Sequence, residues 1–122
     1  MDAIKLAGLE PKAVMGYFEA LCAIPHGSGN TKAVSDWCVS FAKVRGLEVH
    51  QDAMHNVVIV KEASTGYEDA EPMILQGHLD MVGDKVPGCP VDLGTDPIPV
   101  MVEGDYITAD GTTLGGDDGI AV

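Results

Sequence analysis

The sequence is short of positive charge. Seven Lys and Arg stand against nineteen Asp and Glu, giving a formal net charge of −12 at pH 7. Every base lies at or before Lys85. The stretch 86–122 carries Asp92, Asp96, Glu103, Asp105, Asp110, Asp117 and Asp118 and no base at all. Such a balance excludes nucleic acid and anionic membrane as partners. Aromatic residues make up only 5% of the chain, so any core is mostly aliphatic. No run approaches the roughly 18 apolar residues that a membrane span needs. Asp2 and Glu10 stand among the first residues, where a secretory leader would be basic and then apolar. A cytoplasmic location is the expectation.

Cysteine is scarce too. Cys22, Cys38 and Cys89 are odd in number and show no CxxC spacing. Cys22 and Cys38 fall among apolar neighbours and read as buried free thiols acting as small hydrophobes. Cys89 lies in the loop Pro87-Gly88-Cys89-Pro90 with no histidine near it in sequence, so nothing there marks a nucleophile.

What is present has the length and 46% hydrophobic content of one domain. Residues 11–24 read as a helix with Val14, Phe18, Leu21 and Cys22 on one face. Turn formers from Pro25 to Asn30 end it. A second helix follows over 31–45, with Val34, Trp37, Cys38, Phe41 and Ala42 as its apolar stripe. Asn30 is its expected cap and Gly46 its stop. Residues 47–51 and 56–61 are short strands, and the run Val57–Val60 suits a strand covered on both faces. Met73, Ile74 and Leu75 open another buried strand. Residues 86–99 form a long loop, and 100–108 a hairpin turning at Gly104-Asp105. Residues 115–122 look like a loop entering a helix. The fold class expected is α/β in layers. The last helix has little body, so the chain reads as an N-terminal fragment, residues 1–122, of a larger catalytic domain.

Two motifs carry chemistry. Gln76-Gly77-His78-Leu79-Asp80 puts an imidazole and a carboxylate two residues apart at a strand end, where they share one side. Strand C-terminal ends are where open α/β sheets bind ligands. An imidazole on zinc usually donates its other N–H to an acceptor, often a carboxylate. Asp80 could equally orient a base from elsewhere. Gly115-Gly116-Asp117-Asp118-Gly119 sets a carboxylate among glycines, where backbone can approach an ion closely. One carboxylate can bridge two metals about 3.5–4 Å apart. Taken singly, His78 reads as a structural histidine and Asp117 as a helix cap. A Walker phosphate loop is excluded, since no Gly-Lys-Ser/Thr follows. His26 reads as structural or solvated in a turn near the motifs, and His50 and His55 as turn-flanking residues without a ligand role.

Leu75-Gln76-Gly77-His78-Leu79-Asp80-Met81-Val82, followed by Gly111-Thr112-Thr113-Leu114-Gly115-Gly116-Asp117-Asp118-Gly119-Ile120-Ala121, resembles the aminoacyl-histidine dipeptidases of the co-catalytic dizinc peptidases. Ile24-Pro25-His26-Gly27-Ser28-Gly29-Asn30-Thr31 resembles the start of the same enzymes. The resemblance runs from about Val14 to Val122. It implies a layered α/β/α zinc-peptidase catalytic domain that hydrolyses short peptides. By position, His78 matches a zinc ligand and Asp117 the carboxylate bridging both zincs. Asp80 matches the catalytic-site aspartate that steadies the machinery. A cis peptide after Asp117 is part of the same pattern.

The resemblance further implies two zinc ions in the complete enzyme, with cobalt or manganese as alternatives. It implies a homodimer through a separate lid or dimerisation domain. Gly116 departs from the more usual alanine, and the loop 84–95 departs from the common dipeptidase pattern. The family's glutamate base and remaining ligands match nothing here, so the 122 residues alone are expected to be inactive. A related deacylase or aminopeptidase and a metal-free α/β interaction module are the competing readings.

Overall fold

The structure is a computed structural model and describes residues 5–122, so the part of the leader reading that rests on Asp2 lies outside it. The elements are α1 (Lys12–Cys22), α2 (Lys32–Val44), β1 (Glu48–Gln51), β2 (Val57–Val60), β3 (Val100–Glu103), β4 (Tyr106–Ala109) and α3 (Gly116–Gly119). Helices packed on short sheets make the α/β class that the sequence predicts.

Helix α1 starts after Pro11, whose carbonyl accepts from the Met15 N–H at 3.0 Å. Its buried residues are Phe18, Leu21 and Cys22. Val14, predicted on the same face, is 40% exposed. Glu19 uses both carboxylate oxygens to hold the incoming chain, accepting from the N–H of Lys5 at 2.7 Å and of Leu6 at 3.0 Å. That clamp seats Leu6 in the core with Phe18, Cys22, Met81, Ile98 and Val100. Burial pushes the Cys22 thiol up to about 12, with the Glu19 charge adding to it. All three cysteines are free, as expected.

Helix α2 buries Val34, Ser35, Cys38 and Ala42. Trp37 and Phe41, predicted in that stripe, are only half-buried. They form an aromatic rim with Tyr17, and the Arg45 guanidinium lies 3.4 Å from the Phe41 ring centre. Thr31, not Asn30, is the cap residue. The Asn30 amide instead donates to the Gly94 carbonyl at 3.2 Å and ties down the long loop. Gly46 ends the helix as predicted. At φ 67° it donates to the Lys43 carbonyl while Leu47 donates to Ala42, the paired bonds of a Schellman stop.

Strands β1 and β2 pair antiparallel, Glu48 opposite Val60, and β3 and β4 pair likewise, Val100 opposite Ala109. The second hairpin turns at Gly104, φ 59°, where predicted. The buried Ser35 hydroxyl donates to the His55 carbonyl at 2.7 Å and accepts from the Gln51 amide at 2.7 Å, fastening the first hairpin to α2.

Two expectations are corrected. Met73, Ile74 and Leu75 do not form a buried strand: they are 82%, 89% and 89% exposed. Val58, Ile59 and Val60 do form a strand, but at 59%, 40% and 37% exposure they are not covered on both faces. The cause is the same. Among the described residues each sheet has two strands only, and no strand lies beside 73–75. An apolar run reports the surroundings it suits, and these residues supply only part of them.

Candidate metal-binding site

The segment 78–86 is stitched along its length to two others, and this assembles the site. The turn after α1 lies against its first part. The Met81 N–H donates to the His26 carbonyl and the Ser28 N–H to the Met81 carbonyl, each at 3.0 Å. Residues 82–86 lie against 111–113. Val86 donates to the Gly111 carbonyl and Thr113 to the Asp84 carbonyl, each at 2.9 Å. The Thr113 hydroxyl adds a bond to the Val82 carbonyl at 2.7 Å. Together these bonds bring the loop 115–119 back to His78.

Two glycines make the close approach feasible. Gly115 has φ 80°, and a Cβ there would sit 2.8 Å from the Met81 sulfur, itself buried in the core. Gly77 admits the Asp118 carboxylate, whose Oδ2 would lie 2.8 Å from a Cβ at that position. Oδ2 accepts the His78 backbone N–H at 3.1 Å. The Asp117–Asp118 peptide is cis, as the resemblance implies.

His78 and Asp80 are joined by Asp117, which lies 39 residues beyond His78 in sequence. His78 Nε2 lies 2.9 Å from Asp117 Oδ1. His78 Nδ1 lies 2.9 Å from the Asp80 main-chain oxygen and 3.2 Å from Asp80 Oδ1. Asp80 Oδ2 accepts the Ser28 hydroxyl. His78 and Asp80 thus share one side, as predicted, without a paired strand around them. The three line a cleft of about 460 Å³ between residues 78–82 and 113–117. The Asp117 side chain, at the rim of that cleft, is 96% exposed.

The electrostatics of this arrangement decide what it can hold. Both nitrogens of His78 face oxygen acceptors. A neutral imidazole has one N–H, so it can satisfy one side only. With Nδ1–H given to Asp80, the Nε2 lone pair meets a carboxylate oxygen, an arrangement that favours a cation between them. A proton is one such cation. The Asp117 carboxylate, followed by the Asp80 carbonyl, accordingly raises the His78 pKa above the ordinary histidine value. Asp80 is held below the usual carboxylate range, first by the Ser28 hydroxyl and then by the His78 charge. A divalent metal is the other cation, and imidazole nitrogen with carboxylate oxygen is a donor pair that suits zinc. Among the described residues no three His, Cys, Asp or Glu side chains cluster to hold one, so these two donors fit part of a coordination shell.

The remaining histidines separate cleanly. His26 is buried at 4%, with Nδ1 2.6 Å from the Ile24 carbonyl, in line with the structural reading. Its ring lies under Gly115 and so supports the loop from below. His50 pairs with Glu48 at 2.6 Å on the exposed hairpin and does not line the cleft. Sequence reasoning missed Ser28 and Asp118. Ser28 meets a carboxylate 52 positions later, and no local spacing announces that. Asp118 did have a signal, since it follows Asp117 directly and cannot point the same way.

No family model matches the chain. The cytosol non-specific dipeptidase of Escherichia coli (strain K12) is 37% identical over 118 residues, which is 97% of this chain and 24% of that protein. The solved structure of aminoacylhistidine dipeptidase from Vibrio alginolyticus superposes with a TM-score of 0.90 at 37% identity, over 98% of this chain and 24% of that one. The chain spans about a quarter of the length of these relatives. By sequence and by fold it is related to the aminoacylhistidine and cytosol non-specific dipeptidases and is built as a segment of their structure.

Proposed function

We propose that the protein carrying these residues is a cytoplasmic, metal-dependent dipeptidase acting on aminoacyl-histidine and other short peptides, with two zinc ions in the complete enzyme. The observation that supports it most is the 2.9 Å approach of His78 Nε2 to Asp117 Oδ1 while Nδ1 is already committed to Asp80. That leaves a lone pair and a carboxylate aimed at one point. His78 Nε2 and the Asp117 carboxylate are the residues that would hold the metal, Asp117 with an oxygen to spare for a second ion. Asp80 keeps the imidazole turned the right way. When bound, the metal supplies positive charge that acidifies water and polarises a substrate carbonyl.

Two donors do not make a catalytic site, which takes about three protein ligands per zinc. The 122 residues alone are therefore inactive, and activity needs ligands and a proton acceptor from outside them.

The test is hydrolysis by the whole protein, with and without chelator, of Xaa-His dipeptides and of N-acyl amino acids. Dipeptide cleavage is expected, lost on chelation, restored by zinc, and reduced in His78→Ala and Asp117→Asn to the chelated level. A preference for N-acyl substrates would make it a deacylase instead. Indifference to chelator and to both substitutions would leave a metal-free module.

A further inference from the structure

Asp80 is not held by His78 alone. Its two carboxylate oxygens have separate partners: Oδ1 faces His78 Nδ1 at 3.2 Å, and Oδ2 accepts the Ser28 hydroxyl. Ser28 is itself fixed by the main chain, its N–H on the Met81 carbonyl at 3.0 Å and the neighbouring Met81 N–H on the His26 carbonyl at 3.0 Å. The backbone at Gly27 and Met81 forms a parallel bridge at the same place. Residue 28 therefore cannot drift from residue 80 without unzipping that bridge. The hydroxyl has one proton and two acceptors in view, Asp80 Oδ2 and the Met81 carbonyl at 3.4 Å, and the carboxylate is much the nearer.

We infer that Ser28 is a positioning residue which, by gripping one oxygen of Asp80, keeps the other on His78 Nδ1 and so adds a carboxylate to the main-chain carbonyl in favouring the imidazole tautomer with Nε2 bare toward Asp117. The inference rests on the proposed role of His78 as a metal ligand and deepens it. The physical need is plain. Asp80 is exposed at its side chain by 42%, so water competes for both oxygens and its carboxyl group can rotate. Without Ser28, the main-chain carbonyl at 2.9 Å is the one partner on Nδ1 that cannot turn away. The Nδ1–H form then keeps that carbonyl but loses its carboxylate acceptor, whereas the Nε2–H form still finds one in Asp117 Oδ1, so part of the population shifts to Nε2–H and closes the point where a metal would sit. Outer partners of this kind set the tautomer and orientation of ligating histidines. Ser28 reaches the ligand through a carboxylate and touches no reacting atom.

The test uses the 122-residue chain without metal. Histidine ring 15N shifts are recorded near pH 9, about two units above the ordinary histidine range. The variants are a matched pair, Ser28→Thr, which keeps a hydroxyl, and Ser28→Val, which has the same shape without one. Ser28 is exposed, and both variants keep its backbone N–H bond, so amide spectra should remain those of the folded chain. The wild type and Ser28→Thr are expected to show His78 protonated at Nδ1. Ser28→Val is expected to show the Nε2–H tautomer rising at His78 and at no other histidine. Zinc affinity, read by calorimetry with zinc chloride, should fall about tenfold in Ser28→Val, the lower end of the effect of losing an outer partner, and recover in Ser28→Thr. Identical tautomers and affinities in Val and Thr would overturn the inference and leave the Asp80 carbonyl as the sole determinant. If the wild-type chain binds no measurable zinc but the tautomer still shifts in Ser28→Val, the Ser28 contact stands, and the metal reading is decided by the chelator assay on the whole protein.

Discussion

The Asp118 carboxylate reaches 40 residues back along the chain to accept the His78 backbone N–H at 3.1 Å. Asp117, one residue earlier, meets the same histidine at its ring. Consecutive carboxylates thus hold one residue by its main chain and its side chain. The approach depends on Gly77, because a methyl group there would lie 2.8 Å from Asp118 Oδ2 and 3.0 Å from the Val122 side chain. Gly77→Ala is expected to push Asp118 away and cost about 1 kcal/mol, the worth of one hydrogen bond. Urea unfolding measures it. Asp118→Ala should cost a similar amount, and the double variant little more than either, since both remove the same contact.

Adjacent glycines in the second motif should respond unequally. Gly115 adopts φ 80°, and its added Cβ would strike the Met81 sulfur at 2.8 Å. Gly115→Ala combines a left-handed backbone with that clash, so about 2 kcal/mol of stability should be lost. Gly116 has open space where a Cβ would go. Gly116→Ala should stay within about 0.5 kcal/mol of wild type. It follows that Gly116, which departs from the usual pattern of the motif, does not depart for want of room. Thermal unfolding of the two variants side by side separates them.

Local rules made much of the fold legible. Helix periodicity, the Gly46 stop and the Gly104 turn depend on near neighbours, and each is where the sequence places it. The motif resemblance singled out His78, Asp80 and Asp117, and the folded chain brings the three into contact. Long-range polar contacts were not legible. Ser28 with Asp80 and Asp118 with His78 rest on chain segments that only the folded backbone brings together. Burial was misread where it depends on absent neighbours. Ile74 and Val58 have strand-core side chains, yet they face solvent because the described residues contain no layer to cover them.

That misreading has a measurable consequence. Met73, Ile74 and Leu75 present three large apolar side chains in a row with no backbone partner in the sheets. Contiguous exposed apolar surface and unpaired extended backbone both favour association. Ile74→Lys is therefore expected to lower self-association of the 122-residue chain in light scattering. Its unfolding midpoint at low concentration should not change, because a side chain 89% exposed contributes no core packing. A fall in the midpoint would mean that the segment is covered in solution.

The last prediction concerns protons at the site in the absence of metal. Contact with Asp117 first, and with the Asp80 carbonyl next, raises the His78 pKa above the ordinary histidine value. The folded chain therefore holds this proton more tightly than the unfolded chain. The resulting stabilisation is complete below the unfolded histidine pKa and disappears as pH rises through the higher folded value. An NMR titration should give His78 a midpoint above that of exposed histidine. Asp117→Asn should lower it, because the first cause of the shift is removed while the Asp80 contacts remain. Zinc should compete for the same nitrogen, so a saturating amount should abolish the titration in the wild type and fail to do so in Asp117→Asn at equal concentration. A His78 midpoint that Asp117→Asn leaves in place would show that the 2.9 Å contact is not maintained in solution.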